Sequence, residues 1–332
     1  MSYYQDKLEI LRDIFGTRQL SLTESHLHVG DKSYPILNDV IILLEPAQYT
    51  PSVKNSLRVG SYPQVESTLF AEDIQFPFGE EWALHPQILK EHAKEFSSYF
   101  DLIDLESLQN QRVCDLGCGN GRWSYFLAPK CRELILIDFS DAIFSARRNL
   151  THSTNCLFFM GDLQKLPLKE RFCDFLFCLG VLHHLPTPCL NATRDLKRYA
   201  DTLLVFLYYA LDNRPLHYRM ILGIVTQIRW FLSKIRNQSF RTFFSFLVTA
   251  LVYKPMVLLG RCLKPLGISS HVPLFDFYHD KGFRRIQQDV YDRFFTRIEQ
   301  RVTRQQIQEL QNSFSTLEIS KNMPYWHFVC RS

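Results

Sequence analysis

Between Gln111 and Tyr209 five short apolar runs, RVCDLG, ELILID, CLFFMGD, CDFLFCL and TLLVFLYY, alternate with helical stretches near 121–128, 141–150 and 189–199. Strands that are apolar throughout need cover on both faces, and strands joined through helices run parallel. The segment therefore predicts an α/β fold, a doubly wound and mostly parallel sheet of the Rossmann-like kind. The tail extends that sheet to seven strands. Thr303 and Gln306 stand at capping-box spacing before a last helix, and STLEIS and YWHFVC flank Lys321 to Pro324 as a hairpin.

Around this core, 76–211, three additions are expected. Residues 1–75 read as a small module: SHLHVGDKSYPILNDVIILLEP alternates polar and apolar, turns at Gly30-Asp31 and stops at Pro46. A helix follows near 83–107, with Ile88, Leu89, His92, Phe96 and Tyr99 on one face. Residues 212–291 form an insertion with two apolar helical runs, YRMILGIVTQIRWFLSKI and FRTFFSFLVTALVYKPMVLLGRCL, the second broken at Lys254-Pro255. Residues 292–332 carry the last helix and the hairpin.

Charge is distributed unevenly. The net +4 conceals nine Lys and Arg and no Asp or Glu from Asn213 to Phe275, which leaves −5 for the rest. Such a stretch faces an anionic or lipid surface, unless its charges are simply solvated. The nine cysteines form no CxxC pair and several sit in apolar strands, which reads as a reducing, cytoplasmic compartment. The N-terminus carries acids early and does not read as a signal peptide, and no uninterrupted apolar run of 18 residues argues for a membrane span.

The first strand ends in a glycine turn, Asp115-Leu116-Gly117-Cys118-Gly119-Asn120-Gly121, at the carboxyl edge where this architecture binds ligands. The G-x-G-x-G spacing with an acid two residues ahead differs from the dinucleotide fingerprint, and the acid suits a cationic amine better than a phosphate. Asp138 closes the second strand, where a carboxylate can accept from both hydroxyls of a ribose, and Asp162 follows the third, where it can accept from an exocyclic amine. Singly, each aspartate is equally a turn or cap residue. Jointly they describe one extended ligand.

On VCDLGCGNGRW, LILIDFSDAI, MGDLQKLPL, FCDFLFCLGVLHHLPTP and DLKRYADTLLVFLYY, the chain resembles the class I S-adenosylmethionine-dependent methyltransferases over roughly Phe78 to Tyr209 and the C-terminal strand pair. The resemblance implies S-adenosylmethionine as cofactor. Asp115, Gly117, Gly119 and Gly121 would lie along its methionyl part, Asp138 and Phe139 at the ribose, Asp162 and Leu163 at the adenine, and Leu179 to His184 where the methyl group is passed on. The glycine turn usual before the fifth strand is missing from RYADTLL, which implies a local loop difference. KSYPILNDVIILL and FPFGEEW resemble the end of a zinc-ribbon-like module and the linker after it. No cysteine precedes Cys114, so no metal site is expected there.

For the chemistry, His183, His184, Tyr208 and Asp292 are candidate catalytic groups, and Trp82, Tyr209 and Arg293 candidate substrate contacts. Each has a plain alternative: loop capping for the histidines, packing for Trp82, a solvated helix face for Asp292 and Arg293. Of the adjacent tyrosines, strand alternation allows one to reach the pocket. The basic insertion is read as a helical cap over the pocket, with an interfacial membrane contact next and nucleic acid last. The function expected is methyl transfer to O or N of a small anionic or amphiphilic metabolite. The alternatives are a lipid-linked or tRNA substrate, or a non-catalytic scaffold that binds a partner or membrane.

Overall fold

The computed structural model describes residues 3–59, 75, 79, 82, 84 and 86–332. Among the described residues, eleven strands form one sheet in the order β1-β2-β3-β4-β7-β6-β5-β8-β9-β11-β10. Their ranges are β1 Leu20–Leu22, β2 His26–Val29, β3 Lys32–Leu37, β4 Val40–Ile42, β5 Arg112–Leu116, β6 Glu133–Asp138, β7 Cys156–Met160, β8 Phe175–Leu179, β9 Thr202–Phe206, β10 Thr316–Ile319 and β11 His327–Arg331. The five apolar runs become β5 to β9, parallel throughout, and β11 enters antiparallel between β9 and β10. β5, β7 and β8 are buried along their whole length. One apolar core lies on each face of the sheet, as the composition of these strands requires.

The order reverses between β5 and β8, the position where a doubly wound sheet opens a crevice. Helices Arg122–Leu127, Ala142–Asn149 and Cys189–Asp195 link the strands. Tyr199 to Asp201 lead into β9 without any positive φ, so this connection has no need of the glycine that the resemblance implied.

The N-terminal strands are part of the same sheet. β4 pairs in parallel with β7, Ile41 opposite Phe159 and Ile42 opposite Met160. Val29 and Lys32 pair across the Gly30-Asp31 turn, and Gly30 takes φ +55°. Buried Tyr4 donates from its hydroxyl to the Asp39 carbonyl at 2.7 Å, which ties the chain start to the β3–β4 turn. The expected boundary at 75/76 adjoins residues outside the described set, and of FPFGEEW only Gly79 and Trp82 are described. The helix expected over 83–107 spans Glu91–Tyr99.

The insertion folds as a cap with a small core of its own, built on Tyr253, Val257, Tyr278, Ile286, Val290, Tyr291, Phe294 and Phe295. Helix Leu216–Leu232 leads into Gln238–Val248, and helix Phe283–Phe295 closes the cap. Two expectations change here. The boundary at 291/292 falls inside helix Phe283–Phe295, whose buried face packs in the cap core, so the cap reaches Phe295. The break at Lys254-Pro255 is absent: a π turn, Thr249–Tyr253, precedes helix Lys254–Leu263, and the widened turn accommodates the missing proline N–H within one continuous helix from Gln238 to Leu266. By length and composition that helix could cross a membrane, although polar and basic residues interrupt its apolar run.

Candidate active site

A cavity of about 810 Å³ runs from the carboxyl ends of β5, β6, β7 and β8 to the underside of the cap. Its floor begins with the glycine turn. The N–H groups of Gly117 and Cys118 both donate to the Ile137 carbonyl, at 2.7 and 3.1 Å, which fixes the turn against β6. Gly117 has φ +80°, and a Cβ there would stand 2.3 Å from a methyl carbon of Val181. Gly119 has φ +54°, and its Cβ would meet the buried indole of Trp82 at 2.8 Å. Both positions therefore require glycine, for conformation and for space. Gly121 differs from them: it precedes helix Arg122–Leu127 and lies 3.1 Å, by its missing Cβ, from Ala146, so it serves helix packing away from the cavity wall.

The strand-end acids occupy distinct settings. Asp138 lines the cavity, accepting from Gly119 N at 2.8 Å on one carboxylate oxygen and from Ser140 N and Oγ at 2.8 and 2.7 Å on the other. Desolvation in the crevice pushes its carboxyl above the usual range, against the pull of these donors. Asp162 lines the cavity as well, held by Gln48 Nε2 and Gln164 N, each at 3.0 Å. Gln48 reaches it from the N-terminal region, a contribution no motif revealed. Phe139, Leu163 and Leu179 complete this end.

Asp115 stands behind the wall instead of on it. It is 2 % exposed, takes one hydrogen bond from Ser124 Oγ at 2.7 Å, and burial raises its carboxyl to about 8. Its place behind the wall is structural: it anchors Ser124 of the following helix beneath the glycine turn.

Under the cap, Tyr208 donates to Asp292 Oδ2 at 2.6 Å, and Thr296 Oγ1 donates to Asp292 Oδ1 at 2.7 Å. Burial, with Asp292 beside it, pushes the Tyr208 phenol far above its ordinary value, so it stays protonated. His184 lines the cavity with Nδ1 2.7 Å from the Ile298 carbonyl. A carbonyl can only accept, so Nδ1 donates to it.

Two expectations fail at this end. His183 does not reach the cavity: it is fully buried, stacked on Tyr208 with centroids 3.8 Å apart, and burial drives its pKa well below 6.5. Its ring is a neutral support beneath Tyr208. Tyr208 and Tyr209 both line the cavity, because β9 ends at Phe206 and strand alternation no longer governs them.

Five arginines line the cavity: Arg122, Arg214, Arg285, Arg293 and Arg301. Arg122 lies over the rings of Trp123 and Trp82, and Arg214 pairs with Asp276 at 2.9 Å. Arg285 is held by Asp289 and by buried Glu95, and Arg301 by Glu299 at 2.8 Å. Arg285 and Lys281 outweigh the desolvation of Glu95 and keep its carboxyl at about 2. Arg293 makes no hydrogen bond or ion pair among the described residues. Of these five, only Arg293 was anticipated. The signal for more was present in RRIQQDVYDRFF, where Arg285, Asp289, Asp292 and Arg293 recur at i, i+4, i+7 and i+8 on one helix face. Three of the eight non-glycine residues with positive φ among the described residues, Leu211, Leu274 and Tyr325, also line the cavity.

Residues 113–201 match the family described as methyltransferase domain. A tRNA U34 carboxymethyltransferase of Campylobacter hominis is 31 % identical over 108 residues, 31 % of this chain and 37 % of that protein. One of Trichodesmium erythraeum is 26 % identical over 91 residues, 26 % of this chain and 28 % of that protein. The chain thus spans about a third of the length of the curated relatives it matches. Among solved structures, a SAM-dependent methyltransferase of Aquifex aeolicus aligns over 35 % of this chain and 70 % of its own, at 22 % identity and a TM-score of 0.28. A phosphoethanolamine N-methyltransferase of Haemonchus contortus, in complex with S-adenosylhomocysteine, aligns over 49 % and 34 %, at 18 % identity and a TM-score of 0.34.

Proposed function

We propose, from the premise that residues 113–201 form a class I methyltransferase domain, that the chain transfers a methyl group from S-adenosylmethionine to an O or N atom of an anionic, amphiphilic acceptor. One observation carries the reading: a single cavity joins the strand-end acids to an apolar cap studded with arginines. The residues fit the cofactor. Gly117 and Gly119, both at positive φ, bring the backbone of the turn to the cavity wall beside Asp138. Asp138 would hold a ribose, and Asp162 with Leu163 an adenine. When bound, S-adenosylmethionine supplies an electrophilic methyl group on a sulfonium.

The remaining work falls to the protein. Trp82 and the cap exclude water, and the apolar wall of Leu222, Val225, Phe244, Val248 and Met256 takes the non-polar part of the acceptor. Arg293, which makes no hydrogen bond or ion pair among the described residues, offers its guanidinium to the anionic part. For a hydroxyl acceptor, the Asp292 carboxylate takes the proton, held in place by the neutral Tyr208 phenol that donates to it, with His184 lining the same end. Nine free thiols, eight of them buried, support a reducing, cytoplasmic setting.

Calorimetry with S-adenosylmethionine is the first test, followed by transfer of a labelled methyl group into cell extract separated into organic-soluble and RNA fractions. Micromolar binding with label in the organic-soluble fraction supports the reading. Folded protein without cofactor affinity refutes it. The names of the curated relatives favour a second reading, tRNA as acceptor, for which label would enter the RNA fraction and binding would weaken steeply with salt.

A further inference from the structure

Sixteen of the eighteen large apolar side chains exposed among the described residues lie between Leu216 and Ile268. On helix Leu216–Leu232 they form one stripe: Leu216, Met220, Ile224 and Ile228 at intervals of four, with Ile221 and Phe231 beside them. The opposite face packs inward, where buried Arg229 pairs with Glu299. The next helix adds Leu251, Val252, Leu258 and Leu259, of which Leu251 is 70 % exposed. Exposed apolar side chains in this number mark a contact surface.

Its charge identifies the partner. Arg229 and Arg241 are buried and Arg214 is paired, so the basic stretch is less free than its sequence implied. Arg219, Lys234, Arg236, Arg261 and Lys264 remain exposed, with no Asp or Glu from 213 to 275. Lys234 Nζ lies 3.2 Å from the centre of the exposed Trp230 ring, an amphipathic pair suited to a headgroup layer. The face is also continuous with the cavity: Ile221, Ile228 and Val252 are each exposed and each line it.

We propose that this face docks the protein on an anionic phospholipid bilayer and that the acceptor enters the cavity sideways, from the bilayer, past Ile221, Ile228 and Val252. The second half of that statement rests on the methyltransferase reading; the first does not. The contact is interfacial. Helix Gln238–Leu266 has 28 % of its most apolar window buried, yet its inner face carries buried Arg241, Thr249 and Tyr253, and Phe244 packs on Phe294 and Phe295 at 5.4 and 5.7 Å. Crossing a bilayer would strip those contacts, whereas lying on it keeps them.

The test uses the full chain and sucrose-loaded vesicles, of phosphatidylcholine alone or mixed with phosphatidylglycerol. Wild type is expected to sediment about tenfold more with the anionic vesicles, and added salt to reduce the difference. Met220→Glu/Ile224→Glu/Phe231→Glu, all exposed and outside the cavity, is expected to lose vesicle binding with melting temperature and S-adenosylmethionine affinity unchanged. The proposal is overturned if wild type that binds the cofactor stays in solution with both vesicle types, or if the triple variant sediments like wild type. It is equally overturned if the triple substitution dissociates a dimer that never binds vesicles, since the face would then cover a second copy. Vesicle binding without cofactor affinity would retain the docking surface and remove the methyltransferase reading.

Discussion

The two ends of the cavity are built in different ways. At the sheet end, Asp138, Asp162 and the glycine turn are held by backbone that neighbouring strands fix on both sides, and Gly119 N donates directly to Asp138. At the cap end, Asp292, Arg293 and the apolar wall come from helices packed through side chains, pinned to the core by ion pairs such as Arg285 with Glu95 and Arg229 with Glu299. The difference teaches where each kind of specificity resides. Strand ends give a rigid polar site that many acceptors can share, and inserted helices give the part that discriminates among them.

Substitutions at either end should separate the two. Gly117→Val is the harshest, because it combines φ +80° with a Cβ 2.3 Å from Val181; cofactor affinity by calorimetry should fall by about 100-fold or more, at unchanged near-ultraviolet dichroism. Asp138→Ala removes the acceptor for Gly119 N and for a ribose, and a loss of roughly tenfold to 100-fold in the same titration is expected. Arg293→Met should spare cofactor binding and raise KM about tenfold for the acceptor found by labelling, with little change in kcat. An equal loss of cofactor affinity would mean that the two ends act as one.

The smallest effect concerns pH. Asp115 has a carboxyl raised to about 8, above its unfolded value of 3.8, so the folded state holds the extra proton between those values and stability falls as pH rises through that window. Chemical denaturation of the ligand-free protein from pH 5 to 8 should show a loss of about 1 kcal/mol or more that Asp115→Asn lacks.

What could be read in advance follows the same division. The parallel strands, the glycine turn and the acids at the ends of β6 and β7 announce themselves because strand periodicity and turn chemistry are local. Asp115 was visible as a residue but not as a group behind the wall, since its depth depends on how Ser124 packs over it. His183 and His184 are neighbours with identical local signals, and tertiary packing alone sends one into the core and the other to the cavity. In the cap, the nine positive charges gave no sign that Arg229 and Arg241 are internal, because their partners, Glu299 and the Ile235 carbonyl, are set by how the helices meet. The π turn before Pro255 likewise has no local signature.

The sheet closes both of its rims with strands of three and four residues, β1 and β10. A rim that short offers too few open amide and carbonyl groups to recruit a foreign strand. Cutting the protein back to its cofactor-binding portion would uncover β7, five residues long and wholly apolar, along the side that β4 now occupies. A fragment trimmed for convenience would exchange a blunt border for an adhesive one, and self-assembly into aggregates is the expected cost of removing what looks from the sequence like a dispensable preface.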